Sequence, residues 1–257
     1  MGAASGVAGV AAGGHERSMN GSDSKTLTLG AATLAALPER ALWCAGAGLL
    51  VVSDLHLGKA ERMARRTGAL VPPYEAEETV ARLGCLVDRL APRIVVCLGD
   101  SFDDLQAARA LPESVTLALA GLMAGRRWIW VLGNHDPGPV ALGGECMAEF
   151  RPGGAMAGIV LRHIAAREAE APEISGHYHP KARLRGVRRP AFVTDGRRLI
   201  LPAFGTYTGG LDVTDPAIAG LMGPGARALL AGPTMAALPL AALGPAPYGP
   251  PRAWRLG

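Results

Sequence analysis

The chain has 257 residues, of which 49% are hydrophobic and 19% are charged, and its formal net charge is +4 at pH 7. This length and composition exclude a chain too polar to fold, and they predict one large domain with a substantial core. The small basic excess permits a polyanionic partner without requiring one.

The two ends of the chain differ from its middle in composition. We expect residues 1–24 to form a disordered N-terminal extension. They lack the basic lead-in and the long hydrophobic stretch of a signal peptide. Residues 216–257 are rich in Ala, Gly and Pro and predict a loosely packed C-terminal tail, whose prolines argue against a membrane span. The four cysteines show no CxxC pairing, which fits a reducing compartment and predicts a cytoplasmic location.

Between these ends, short apolar runs alternate with longer amphipathic segments. The runs that predict strands are at residues 48–54, 93–100, 126–136, 158–163 and 172–179. Helical spacing of apolar residues predicts helices over 74–90 and 103–123, and the stretch 191–204 predicts a hairpin that turns at Asp195 and Gly196. This alternation predicts an α/β fold with functional residues at the carboxyl ends of its strands.

A small set of polar residue types follows the predicted strands. The set consists of Asp54, His56, Asp100, Asn134, His135, His163, His177 and His179. Each member has an ordinary explanation when taken alone, such as a helix cap for Asp54 or a satisfied core histidine for His56. Five of the six histidines of the chain belong to the set, however, and scattered core histidines would not all fall at strand ends.

The residue types in this set predict a particular kind of metal site. Carboxylate, imidazole and amide groups together suit Mn, Fe or Zn, and none of the cysteines belongs to the set. Without His135 the set offers seven candidate ligands, too many for one tetrahedral ion but suited to two ions that share a carboxylate. Two ions roughly 3.5 to 4 Å apart can promote in-line displacement at phosphorus. The set therefore predicts a phosphoesterase with two divalent ions, most favourably Mn²⁺.

The same residues match five motifs in order, D-x-H, G-D, G-N-H-[DE], H and G-H-x-H, and so the chain resembles the calcineurin-like metallophosphoesterase superfamily. The resemblance implies a four-layer αββα sandwich of two mixed β-sheets flanked by helices. It also implies that one ion is bound by Asp54, His56 and His179, the other by Asn134, His163 and His177, with Asp100 bridging them. In this resemblance His135 is catalytic, and stabilises the transition state or protonates the leaving oxygen.

The flanking segments SDLHLGKAERMARRTGALVPP, LGDSFDD and LILPAFGTYTGG resemble the bacterial ligase-associated DNA damage response endonucleases, a branch of that superfamily. This implies a metallophosphoesterase catalytic domain over residues 25–215 and a DNA phosphodiester as substrate. It implies as partners a DNA ligase, a helicase and an exonuclease of the same repair system, and no membrane. Asp103 departs from the branch, which often carries a histidine there, and we expect this departure to leave the metals untouched but to alter contacts with the substrate.

Several basic and aromatic residues near the motifs have two interpretations. Lys59, Arg62 and Arg66 would share one helical face, either to contact a phosphate backbone or as an ordinary solvated surface. A second basic group follows the last motif and comprises Arg183, Arg185, Arg188 and Arg189. The segment AFGTYTGG predicts a strand and turn with a structural role, and the alternative places Tyr207 near the substrate.

Two other functions stay open at the level of the sequence. A small-molecule phosphodiesterase or pyrophosphatase, acting on a nucleotide or a lipid A precursor, would use the same motifs. A lipid enzyme should also carry an exposed apolar lid, and residues 60–130 contain no clear candidate. A scaffold without catalysis is the third possibility, but such proteins lose metal or catalytic residues, and here all eight are present.

Overall fold

A computed structural model describes residues 24–68, 71–135 and 142–244. Its α-helices are α1 (Lys59–Thr67), α2 (Glu75–Leu90), α3 (Leu105–Arg109), α4 (Glu113–Met123) and α5 (Pro216–Ala219). Its first seven strands are β1 (Lys25–Leu29), β2 (Ala32–Ala36), β3 (Leu42–Cys44), β4 (Leu49–Val52), β5 (Ile94–Leu98), β6 (Arg127–Val131) and β7 (Glu145–Met147). The others are β8 (Glu149–Phe150), β9 (Val160–Arg162), β10 (Glu173–Ser175), β11 (Lys181–Leu184), β12 (Val187–Thr194), β13 (Arg198–Ile200), β14 (Arg227–Leu230) and β15 (Ala236–Pro239).

These strands form two mixed sheets, as the sequence predicts. The first sheet runs β1 to β7 in chain order, antiparallel up to β4 and parallel from β4 to β7. The second has the order β15-β14-β12-β13-β10-β9-β8, with β11 paired to β12. Within it, β9, β10 and β13 are parallel, and the predicted hairpin is confirmed by the antiparallel pairing of β12 with β13.

The core lies between the two sheets and on the outer face of the first. Along β4, Leu49 and Val51 face the second sheet, whereas Leu50 and Val52 face α2 and α4. Burial on both faces explains why this strand reads as an uninterrupted apolar run. On the outer face of the second sheet, α5 is the one α-helix among the described residues that packs against the core.

The long helix predicted over 103–123 is two helices in the structure. Asp104 caps α3 by accepting a hydrogen bond from the backbone N–H of Ala107, and α3 ends at Arg109. Pro112 then stands as the N-cap of α4. The interruption follows from proline chemistry, because Pro disfavours helical conformation in the residue before it and lacks a backbone N–H to donate.

The expectation of a tail from residue 216 needs correction for residues 216–244. β14 pairs with β12 over four residues, and β15 pairs with β14, so both belong to the second sheet. Leu229 packs between the sheets, and Ala228 and Leu230 pack on the outer face of the second sheet. This burial stabilises the short segment. The predicted extension up to residue 23 and the end of the tail from residue 245 lie outside the described residues. Among those that are described, no helix is long and apolar enough to span a membrane.

Candidate metal centre

All eight residues of the predicted set lie at one edge of the two sheets. Asp54 and His56 follow β4, Asp100 follows β5, Asn134 and His135 follow β6, His163 follows β9, and His177 and His179 follow β10. β4, β5 and β6 are parallel, as are β9 and β10, so their carboxyl ends meet at the same edge. A hydrogen bond from the backbone N–H of His177 to the carboxylate of Asp54 joins the two sheets there.

The first donor cluster consists of Asp54, His56 and His179. Its ligand atoms lie within 4.8 Å of one another, and Asp54 and His56 are buried. Asp54 Oδ1 is 3.1 Å from His179 Nε2, and the Nε2 atoms of the two histidines are 3.3 Å apart. The three donor atoms therefore converge on one point.

The second donor cluster consists of Asp100, His163 and His177, and its ligand atoms also lie within 4.8 Å of one another. Asn134 belongs to the same group, because its Oδ1 is 3.0 Å from His163 Nε2. Asp100 lies between the clusters: its Oδ2 is 3.3 Å from His163 Nε2 and 3.9 Å from His56 Nε2. A carboxylate in this position can contact ions in both clusters.

The donor chemistry of His163 fits a bound cation. Its Nδ1 lies 3.2 Å from the carbonyl oxygen of Leu98, while its Nε2 faces the oxygens of Asn134 and Asp100. A neutral imidazole carries only one N–H, so with Nδ1 donating to Leu98 the Nε2 lone pair would face two other acceptors. A cation among these three atoms, or a proton on Nε2, resolves the conflict.

His56 fits a cation for a complementary reason. Its Nδ1 is 2.7 Å from Asp103 Oδ1, and a carboxylate can only accept, so Nδ1 carries the hydrogen. The Nε2 lone pair is then free and points toward His179. Fixing the tautomer through the remote nitrogen in this way is typical of histidines that bind metals.

The electrostatics of the site are those of a negatively charged cavity. Burial opposes ionisation of Asp54, but the surrounding histidines, His179 above all, outweigh it and hold the pKa of Asp54 well below its usual range. Burial likewise opposes the charged form of His163, yet its hydrogen bond to Asp100 and the two nearby carboxylates raise its pKa to about 9. The cavity therefore stabilises positive charge, as a divalent ion requires.

The backbone at the site is bent in a way that few residues tolerate. Within the described ranges nine non-glycine residues have positive φ, and five of them are members of the set: Asp54, His56, Asp100, His177 and His179. Such conformations cost about 1 to 3 kcal/mol each and persist where surrounding contacts impose them. Gly99 also has positive φ, and a Cβ there would lie 2.2 Å from His163 Nδ1, so only glycine fits between β5 and this ring.

His135 lies beside both clusters. Its backbone N–H donates to Asp100 Oδ1 over 2.9 Å, and its ring is 5.6 Å from the ring of His56, centroid to centroid. The side chain is partly exposed, which leaves it open to a substrate. The structure thus places His135 next to the clusters, where the resemblance expects a catalytic residue.

Asp103 is the functional residue that the sequence reasoning undervalued. The residue is 1% exposed and its carboxylate accepts from Nδ1 of His56, a candidate ligand, so the expectation that this position leaves the metals untouched needs correction. It also contacts Lys59 Nζ at 3.2 Å and Arg62 Nη1 at 3.0 Å. The signal available in the sequence was its place three residues after Asp100, in the loop that follows β5.

These contacts involve the basic helical face of Lys59, Arg62 and Arg66, for which one interpretation was contact with a phosphate backbone. Lys59 and Arg62 pair with Asp103, and Arg66 lies 3.9 Å from Asp104. Arg62 Nε is also 3.6 Å from Asp104. Because carboxylates of the same chain offset these charges, the structure favours a structural role for Lys59 and Arg62 over direct contact with substrate.

Comparison with known proteins agrees with this geometry. Residues 48–185, more than half of the chain, match the calcineurin-like phosphoesterase family, and all eight site residues fall inside that range. The crystal structure of Pseudomonas putida nuclease MPE is similar to this fold with a TM-score of 0.65 and 26% sequence identity. That similarity covers 82% of this chain and 98% of the other. None of the curated proteins matches the chain.

The family match and the two donor clusters lead to the same assignment. The family uses divalent metal ions, and this chain brings candidate ligands for them to one sheet edge. The neighbouring nuclease structure is consistent with hydrolysis of a phosphoester. The chain therefore belongs to the calcineurin-like phosphoesterase family and is a metal-dependent phosphoester hydrolase.

Proposed function

We propose that this enzyme is a DNA nuclease that cuts internal phosphodiester bonds and acts in DNA repair. The observation that carries the proposal is the pair of donor clusters that share Asp100, with His135 beside them. The likeness to a bacterial nuclease along most of both chains supports a nucleic acid substrate. The flanking segments resemble DNA damage response endonucleases and support DNA in particular.

In this proposal Asp54, His56 and His179 would hold one ion and Asn134, His163 and His177 the other, with Asp100 between the two clusters. Bound there, divalent ions would supply positive charge against the phosphoryl oxygens and would lower the pKa of a water molecule. The mixed set of carboxylate, imidazole and amide donors suits Mn²⁺, with Fe and Zn as the other ions that it accepts.

His135 supplies the proton chemistry. In the hydrolysis, the oxygen of water loses a proton to the solvent and forms a bond to phosphorus, while the bond from phosphorus to the leaving oxygen breaks. The leaving oxygen must gain a proton, and His135 is placed to donate it or to hydrogen-bond the phosphoryl group as its charge grows. The backbone hydrogen bond to Asp100 keeps this residue in position relative to the clusters.

The cellular setting follows from the same resemblance. A cytoplasmic location agrees with the sequence, in which the four cysteines form no CxxC pair. The DNA ligase, helicase and exonuclease of one repair system are the partners we propose, because the flanking segments resemble enzymes that work with them. A DNA ligase would rejoin the ends that this cleavage creates.

Cleavage of end-labelled DNA tests the proposal. Metal-stripped protein is supplied with Mn²⁺ and incubated with single-stranded and duplex DNA, and bis-p-nitrophenyl phosphate is tested in parallel. We expect internal cuts that require Mn²⁺ and disappear in His135→Ala protein. Hydrolysis of the small diester without any cut in DNA would refute the DNA assignment and indicate a small phosphoester as substrate.

A further inference from the structure

The loop of residues 204–210, with the sequence FGTYTGG, borders the first donor cluster at both of its ends. At its start the N–H of Gly205 donates to the carbonyl oxygen of Asp54 over 3.1 Å. At its end Gly210 packs so closely on His179 that a Cβ there would lie 2.0 Å from the carbonyl oxygen of His179. The loop therefore spans the rim of the cluster that contains both residues.

Four cations surround this loop, and each donates to one of its carbonyl groups. Arg40 donates to Gly205 O at 3.4 Å, Lys181 to Thr208 O at 2.8 Å, Arg188 to Gly210 O at 2.7 Å, and Arg82 to Phe204 O. We call this group the cation collar. Its members come from three separate parts of the chain, with Lys181 and Arg188 on the paired strands β11 and β12, so the folded structure brings them together.

The positive charge of the cation collar is poorly offset by the protein itself. Of its members only Arg82 meets a carboxylate within the described part of the chain, Glu78 at 4.0 Å. The loop contains no acidic residue. Burial and the neighbouring charge of Arg82 together lower the pKa of Arg40 to about 10, against an opposing effect of Glu78. Four like charges held together around one nearby carboxylate leave a net positive charge, which favours the binding of an anion.

The loop also presents an aromatic ring to solvent. Tyr207 is 43% exposed and has a φ of 58°, a conformation that a bulky residue seldom adopts. The preceding residue, Thr206, is fixed to α2 by a hydrogen bond from its N–H to Thr79 Oγ1. Exposed aromatic rings beside basic residues are a common way to bind a single strand, since every base offers a face for stacking.

We propose that the cation collar and Tyr207 form the contact surface for the DNA strand next to the Asp54, His56 and His179 cluster. The cations bind backbone phosphates adjacent to the one being cleaved, and Tyr207 stacks on a base. This inference rests on DNA being the substrate. It assigns the strand to the rim formed by the 204–210 loop, whereas the basic face of α1 is already paired with Asp103 and Asp104.

The test uses variants that remove charge and keep a hydrogen-bond donor. Arg40→Gln and Arg188→Gln, alone and combined, are compared with Arg227→Gln as the matched control. Arg227 is exposed and pairs with Thr194, the last residue of β12. Arg188 lies near the start of the same strand, so the two arginines are at opposite ends of it. Binding of a fluorescein-labelled single-stranded oligonucleotide to the full chain is measured by anisotropy in EDTA, at several salt concentrations. Melting temperatures establish that each variant is folded.

For the double variant we expect DNA binding at least about fivefold weaker at low salt. The slope of log K against log salt concentration should be smaller in magnitude by about 0.7 for each cation removed. Tyr207→Ala should weaken binding between about fivefold and a hundredfold, while Tyr207→Phe should bind as wild type does. Arg227→Gln should match wild type. Wild-type affinity and salt slope in the folded double variant would overturn the proposed surface.

The failure of this inference differs from the failure of the proposed function. If wild-type protein cuts DNA and the double variant binds it normally, only the contact surface is wrong. If wild-type protein hydrolyses bis-p-nitrophenyl phosphate but neither binds nor cuts DNA, the DNA substrate is wrong and the surface is refuted with it.

Discussion

Replacing Asp103 by alanine tests how the structure holds His56. The carboxylate of Asp103 accepts the hydrogen of His56 Nδ1 at 2.7 Å and is itself held by Lys59 and Arg62. In Asp103→Ala the ring of His56 loses the partner that fixes its tautomer, although no ligand atom is removed. We therefore treat Asp103 as a positioning residue, and expect it to act on metal affinity.

The size of the effect follows from the contacts. Loss of a hydrogen-bond partner behind a metal-binding histidine typically lowers metal affinity about 10- to 100-fold. Stability should also fall, because Lys59 and Arg62 lose a buried counter-charge. Both side chains are 20% exposed and can recover hydration, so we expect a loss of about 1 to 3 kcal/mol rather than the about 3 to 5 kcal/mol of a fully buried pair.

The pH dependence of stability provides a second readout. Burial opposes the charge of Asp103, but its hydrogen bond with His56 and the charge of Lys59 outweigh that and hold its pKa below the usual range. A folded-state pKa below the unfolded value means that the ionised group stabilises the fold at neutral pH, and that this contribution is lost as the pH falls below about 4. In Asp103→Ala that part of the acid dependence should be absent.

The assay is metal content per chain at a series of free Mn²⁺ concentrations, measured by mass spectrometry after equilibrium dialysis. Asp104→Asn is the matched control, because Asp104 is the next residue, pairs with arginines of α1 and has no contact with His56 among the described residues. We expect one of two Mn²⁺ equivalents to require higher free metal in Asp103→Ala and neither to do so in Asp104→Asn. Unchanged affinity for both equivalents in folded Asp103→Ala protein would refute the reasoning.

Three further predictions concern the centre itself. His135→Ala should keep both ions but lose most turnover, roughly 100-fold or more, and normal turnover would contradict its catalytic role. Asp100→Asn should lower the metal content itself, because one carboxylate contacts both clusters; two tightly bound ions per chain in this variant would exclude the shared position. Gly99→Ala should lower both the melting temperature and the metal content, since the new Cβ would lie 2.2 Å from His163 Nδ1, and wild-type values for both would show that the ring can move aside.

The sequence was most informative where a physical rule relates the place of a residue in the chain to its place in the fold. Parallel strands end at a common edge, so the residues after β4, β5 and β6 could be expected to meet before their distances were known. The apolar run at residues 48–54 likewise predicted a strand, and the structure has β4 there. The resemblance implied that Asp100 bridges two ions; the structure places its carboxylate between the two donor clusters, and the bridging role stays a prediction.

The sequence was least informative where side-chain direction or weak packing decides. Spacing placed Lys59 and Arg62 on one helical face but could not show that this face turns toward Asp103. β14 was missed because an alanine- and proline-rich segment carries little periodic signal, and Ala228 and Leu230 become a strand only by pairing with β12. The sequence placed Arg188 in a basic group after the last motif but could not predict the cation collar as a whole, because Arg40 and Arg188 are 148 residues apart in the chain and meet only at the 204–210 loop.

The central claim is that two ions share Asp100, and anomalous diffraction from crystals grown with Mn²⁺ tests it most directly. The account predicts two anomalous peaks, one within Asp54, His56 and His179 and one within Asn134, His163 and His177, about 3.5 to 4 Å apart and both contacting Asp100. A single peak at saturating Mn²⁺, or two peaks without Asp100 between them, would contradict it.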